Sequence, residues 1–424
     1  MKYKNHLDYL LVQNNDCFEV FIQGGIVQSS HNVSTGASFR TVNGKQSVFH
    51  SSNDFWNNGN FRSYINKEQV LNFLNNRSYR QSDIVLPHNF YDNVIEMFST
   101  LGNVSNISIN IKSDEQIDVL LRIDKNSYVN NVIRMLSANI SALINISDYP
   151  ILIKREFILS QQQELEIQLY EKIKDIVANY LPYVKLPYRD VAHCDYDFLL
   201  PAGRGGIIIH EAIGHGLEAD CYYLGKGILS EKWQKKVADA SVCISDSCAQ
   251  SNAINLDYSS DGSSTSNVEL IKNGRIEGLM SDKQTARIWG ISDTGNGRSS
   301  SYEYLAIPRM RNTFLHNGVY SHEDIISETN NGIYAIDVGA GQVDIGSGDF
   351  VFNIQSGYFI ENGIPVALAK PFLFKGNTLD TLYKIDMIGN DLKFQLAACG
   401  KQGQLLMVTY GQPTIRISKQ KLGG

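Results

Sequence analysis

Residues 201–220 read PAGRGGIIIHEAIGHGLEAD and hold His210, Glu211 and His215 in the order H-E-x-x-x-H. Neutral imidazoles are good zinc ligands, and a glutamate beside the first can take a proton from a water activated at the metal. The spacing imposes a condition. Around an α-helix, positions i and i+4 lie roughly 40° apart, whereas i and i+5 lie roughly 140° apart. Both histidines reach one ion only if the turn between them is wound as an i→i+5 π-bulge. Gly214, just before His215, supplies the permissive backbone. The bland alternative is two helix histidines, one buried and one on the surface.

A catalytic zinc takes three protein ligands and keeps a fourth position open. Local candidates for the third are Glu218, Asp220 and Cys221; distant ones are Cys399, in the stretch AACGKQGQ, and the other histidines. Spacing does not choose among them. Glu218 and Asp220 read equally well as carboxylates that orient a ligand imidazole or as ordinary acids at a helix end.

The elements that must carry these groups are legible in part. Residues 196–200 (YDFLL) predict a strand, 201–206 a tight turn and 206–217 a helix. Upstream, residues 18–23, 37–42 and 46–50 are short β-rich runs, with Asn43-Gly44 as a hairpin turn. Residues 66–74 predict a helix, and Pro87 with its polar surroundings a connector. Residues 113–133 have helical spacing (Ile117, Leu120, Leu121, Ile123). Residues 137–153 alternate like paired strands around Asp148-Tyr149-Pro150, and 160–181 form the clearest helix. Pro182 and Pro187 bracket a boundary. Beyond it, residues 255–424 are mostly short strands punctuated by Asn273-Gly274 and Asn362-Gly363, interrupted by helices near 282–289 and 322–328. The expected fold class is α+β. A mixed α/β domain over 1–188 precedes a β-rich, antiparallel sheet or barrel-like domain over 189–424 that carries the HExxxH helix.

Composition narrows the function. The 424 residues are 43% hydrophobic and 19% charged, which suits a globular chain with a sizeable core. A net charge of -6 gives no general attraction to phosphate backbones or anionic membranes, so neither nucleic acid nor membrane is expected as a partner. Residues 1–15 lack a secretory pattern, and no run approaches the roughly 20 apolar residues of a membrane helix. The six cysteines are scattered without a C-x-x-C pair, which predicts a cytoplasmic protein with no disulfide framework.

Several blocks, in order, resemble the TldD branch of the TldD/PmbA peptidase family. They are HEAIGHGLEAD, TGNGR (294–298), NGIYAIDVGAGQVDIGSGDFVF (331–352), and CGKQGQ followed by GQPTIRI and LGG; the strands of residues 17–50 are also similar. The resemblance implies that His210 and His215 bind one zinc per chain with Cys399 as third ligand, and that Glu211 is the general base. PmbA-type (TldE) relatives lack this metal set, so the resemblance implies an active, metal-binding partner. It further implies a dimer, with such a metal-free homologue or with a second copy, enclosing a cavity for flexible, unfolded peptides or ribosomally made precursors. An older label for the family is modulator of DNA gyrase. The N-terminal region is shorter than usual, and LLMVTYGQPT (405–414) has a bulkier apolar lead-in than the family form.

The expected activity is zinc-dependent peptide hydrolysis, with the peptide held extended along a sheet edge. Arg298 and Tyr302 are candidates to stabilise an oxyanion, against a plainer reading as a surface arginine and a packed tyrosine. Ser321 and Asp324 read as a helix capping box, and the glycines of 338–348 as hairpin residues. The competing function is a non-catalytic regulatory or binding subunit whose metal is structural; hydrolysis of another amide or ester is a third.

Overall fold

A computed structural model describes residues 7–43, 46–55, 57, 67–75, 84, 86–122, 127–147, 149–160, 164–225, 227–248 and 254–423. Long alternating runs build the first layer: β1 (Leu7–Gln23), β2 (Ile26–Asn43), β3 (Gln46–Ser52), β4 (Asn103–Arg122), β5 (Ser127–Ile146) and β6 (Tyr149–Leu159). They pair antiparallel in the order β3-β2-β1-β4-β5-β6. Successive side chains of a strand point to opposite faces. Leu10, Val12, Val20 and Ile22 of β1 accordingly face three helices, α1 (Lys67–Asn75), α2 (Phe90–Ser99) and α3 (Leu165–Tyr180). Tyr9, Leu11 and Gln13 face the C-terminal half.

One reading of the sequence is corrected here. Residues 113–133 are not helical: β4 runs through Arg122 and β5 begins at Ser127, while Ile123 lies outside the described residues. Ile117 and Val119 are buried on the helix side and Leu120 on the other. A strand covered on both faces produces a continuous apolar run that imitates helical spacing. The connector around Pro87 leads into α2, whose Phe90, Val94 and Phe98 are buried at i, i+4, i+8. Other expectations stand close to the observed elements. The strand pair over 137–153 turns at Ser147, and the helix over 160–181 is α3; Gly44, Asn66 and Asp148 lie outside the described residues.

The second half is strand-rich. One sheet runs β11 (Arg275–Ile276), β10 (Val268–Lys272), β9 (Ile244–Ser247), β14 (Asn312–Leu315), β21 (Gln404–Gln412), β20 (Lys393–Lys401), which leaves β20 at its edge. The other runs β15 (Asn331–Val343), β8 (Cys194–Leu200), β22 (Ile415–Leu422), β18 (Phe372–Asn377), β16 (Asp349–Glu361), β17 (Ile364–Ala369), β7 (Tyr188–Arg189). β19 (Ile385–Ile388) joins β22, and β15 pairs back onto β16 to close a barrel. A small ribbon, β12 (Gly297–Arg298) with β13 (Ile307–Pro308), completes the strands. The expected antiparallel pattern is broken by the parallel pairs β14–β21, β15–β8 and β17–β7. Both Asn-Gly turns form as read: Asn273-Gly274 and Asn362-Gly363 take left-handed φ, which suits two-residue hairpins. The capping box at Ser321 and Asp324 is present. Among the described residues no helix is long and apolar enough to cross a membrane.

The layers are tied by buried charge. Arg40 of β2 pairs with Asp8, lies 3.9 Å from Asp261 and donates to Gln284. Gln284 follows Asp282, which caps the helix Lys283–Trp289 through Thr285. Burial, with neighbouring Asp261, pushes the Asp282 carboxyl up to about 6. The folded state therefore binds this proton more tightly than the unfolded chain, so its contribution to stability falls as pH rises from about 4 to about 6. Asp282→Asn keeps a good cap. It should flatten that fall in urea unfolding measured between pH 4 and pH 7; an unchanged slope would assign the pH dependence to another group.

Candidate active site

The chain leaves β8 at Leu200, turns at Gly203 (φ 79) and enters a composite helix. The continuous helix expected over 206–217 is corrected to three pitches: α over Ile207–Ile209, π over His210–Gly214 and 3-10 over His215–Leu217. The His215 amide donates to the His210 carbonyl, an i→i+5 bond. This wide turn brings the imidazoles together, with ring centroids 5.2 Å apart. A Cβ on Gly214 would stand 2.0 Å from Met310 Sδ, so the glycine is required by close packing as well as by the turn. The helix stops at Glu218, whose extended backbone (φ -71, ψ 129) is pinned as Ala219 N donates to Met280 O and Met280 N to Leu217 O.

Cys399 comes from edge strand β20, and its sulfur lies 3.3 Å from His215 Nε2. One donor atom from each of His210, His215 and Cys399 lies within 4.8 Å of the others, and all three residues are buried. Burial would raise the Cys399 thiol, but hydrogen bonds from His210 and His215 bring it down to about 5. Burial would lower His215, yet the Glu218 carboxylate and the Cys399 sulfur raise it to about 10. The cluster therefore pairs a charged sulfur with a protonated His215 ring; loss of that proton would leave a thiolate and imidazole donor set of the kind that takes a divalent metal ion. Glu211, on the partly open side, holds its carboxylate 4.0 Å from His210 Nε2 and 3.8 Å from His215 Nε2.

The other candidate ligands stand apart from this point. Glu218 Oε2 accepts from His215 Nδ1 at 3.0 Å, the nitrogen that faces away from Cys399. Asp220 and Cys221 group with Glu218. His316 pairs with Ser245 and His322 with Thr414. Arg298 is not a surface residue: it is buried and donates to the carbonyls of Met310 and Met407. Tyr302 donates its amide to Gln13, and its ring lies against Gly36 of β2. The Tyr302 contacts dock this segment on the N-terminal sheet. Two residues escaped the sequence reading. Lys401 binds Glu218 and Asp220, and Arg309 Nη2 donates to the Cys399 carbonyl at 2.5 Å. Lys401 had a signal, since it shares a strand face with Cys399 two residues earlier; Arg309 had none.

Residues 193–424 match the family model for the PmbA/TldA metallopeptidase C-terminal domain. The metalloprotease TldD homolog of Buchnera aphidicola subsp. Acyrthosiphon pisum is 35% identical over 271 residues, covering 63% of this chain and 56% of that protein. The zinc metalloprotease TldD homolog of Saccharolobus solfataricus is 30% identical over 294 residues, covering 68% of this chain and 65% of that protein. The chain spans about half the length of the bacterial relatives it matches. The crystal structure of TldE from Thermococcus kodakarensis has the same fold, with TM-score 0.75 at 15% identity, covering 100% of this chain and 98% of that one.

Proposed function

This chain belongs to the TldD/PmbA family of metallopeptidases, and from that premise we propose that it is a zinc-dependent peptidase acting on flexible, unfolded peptides. One observation carries the reading: two imidazole nitrogens and a sulfur converge within 4.8 Å, with a carboxylate about 4 Å from both imidazoles. Three protein donors of this chemistry fit zinc and leave a fourth position open. His210, His215 and Cys399 would hold the ion. Bound there, zinc supplies Lewis acidity, which polarises a peptide carbonyl and makes water a stronger acid. Glu211 then takes the proton of the attacking water and delivers it to the leaving amine.

The substrate route follows from the edge strands. β20 carries Cys399 on a sheet edge, and Gln395 Nε2 reaches from it to the Glu156 carbonyl on β6, the edge of the N-terminal sheet. A cavity of about 1210 Å³ lies beside this contact, lined by residues of both strands but by none of His210, Glu211, His215 and Cys399. An extended peptide added to such an edge gains main-chain hydrogen bonds that demand no particular sequence. In this reading the chain works in the cytoplasm as a dimer, with a metal-free TldE-type homologue or with a second copy.

The test is mass spectrometry of a flexible peptide incubated with the purified chain, alone and with a TldE-type partner. Cleavage should stop with a strong chelator and return with added zinc. A peptide left whole in every zinc-loaded arm would favour the non-catalytic binding subunit. Cleavage that ignores the chelator would overturn the metal mechanism.

A further inference from the structure

Two residues beyond Cys399, Lys401 occupies the same face of β20. Its position relative to the cysteine is rigid, because Lys401 pairs with Gln404 across a two-residue turn in which Gln402 and Gly403 both take left-handed φ (51 and 76). Its ammonium is also fully used. An ammonium has three N–H donors, and three acceptors surround this one: Glu218 Oε2 at 2.8 Å, Asp220 Oδ1 at 2.7 Å and Pro308 O at 3.1 Å. The side chain is only 10% exposed, which sets it apart from a solvated surface ion pair.

The oxygen of Glu218 that meets Lys401 is the one that meets His215 Nδ1; Oε1 is buried without a hydrogen-bond partner. Glu218 itself is wholly buried. Its backbone is held against Met280, so the carboxylate enters between imidazole and ammonium from a fixed origin. A carboxylate that accepts from one ring nitrogen fixes the tautomer and the ring orientation, and leaves the other nitrogen to ligate.

We propose that Lys401 is a positioning residue of the metal centre: by locking Glu218 Oε2 onto His215 Nδ1, it holds the His215 ring with Nε2 toward Cys399. β20 thereby supplies both a ligand and the clamp for the outer partner of a second ligand. The HExxxH segment and the strand from near the chain's far end become one mechanical unit. Without the ammonium, Glu218 loses the contact that selects its oxygen, and Glu218 and Asp220 face each other without the cation between them. The inference rests on the metal reading given above.

The decisive experiment compares zinc affinity, by competition with a chromophoric chelator, in the full chain and in Lys401→Met. The visible spectrum of each protein loaded with cobalt(II) is recorded alongside. Affinity should fall about 10–100-fold, as for other outer partners of metal ligands, and the cobalt bands should shift while circular dichroism stays unchanged. If the Met variant does not fold, Lys401→Gln, which retains a donor, is held to the same outcome. A folded variant with wild-type affinity and an unshifted cobalt spectrum overturns the proposal and leaves the metal reading intact. A wild-type chain that binds neither ion overturns the metal reading first, and this inference with it.

Discussion

Replacing Glu211 by Gln is expected to leave the metal in place and to reduce peptide hydrolysis about 10³-fold, within the range general acid–base groups contribute. The geometry separates the two effects. Glu211 lies close to 4 Å from both imidazole Nε2 atoms and lies on the accessible side, while the ligating atoms come from His210, His215 and Cys399. Glutamine has nearly the same shape and can still accept a hydrogen bond, but it cannot take up the proton of an attacking water. Zinc content, read by elemental analysis, should match the parent chain, and the loss should fall on kcat rather than KM. A Gln variant that cleaves a flexible peptide at the parent rate would remove Glu211 from the mechanism.

Cys399→Ser should have the opposite signature: loss of both metal and activity. The sulfur is the only donor of the trio from outside the helical segment, and bonds from two imidazoles favour its charged form. A serine hydroxyl fits the space and can bond to either imidazole, so the fold should survive. It is a poor zinc ligand because it keeps its proton near neutrality. Metal affinity should fall by more than the roughly 10–100-fold loss expected of an outer partner. Equilibrium dialysis against zinc measures it. Full occupancy with full turnover in the Ser variant would mean that the third ligand lies elsewhere.

The segment 201–220 shows how far local reasoning reaches. The i, i+5 spacing demanded a π-turn, and the backbone has one, because only that bond pattern puts two such residues on one face. The same reasoning missed that the turn is embedded between an α turn and a 3-10 turn. Those pitches depend on distant contacts, the packing of Gly214 against Met310 and the backbone bond from Met280 N to Leu217 O. The misread run at 117–121 has a similar cause. Apolar residues at i, i+3 and i+4 satisfy a helix, and they also satisfy a strand buried on both sides. Only the presence of helices on one face and the C-terminal half on the other decides between them.

By itself the sequence determined the chemistry on offer: two imidazoles, the adjacent carboxylate, the winding needed between them, and the Asn-Gly hairpins of the second half. These are local matters, fixed by residue type and by backbone geometry over a few positions. It did not choose Cys399 over Glu218, Asp220 or Cys221 except by resemblance. It offered Glu218 as a carboxylate behind a ligand imidazole without deciding for it, and it could not reveal that Lys401 stands behind Glu218 or that Arg298 is a buried tie between strands. His215 and Cys399 are 184 positions apart. Their meeting is decided by which sheet edge β20 occupies and by the backbone bonds that end the helix at Glu218. Such contacts depend on the packing of whole sheets, which no short run of residues encodes.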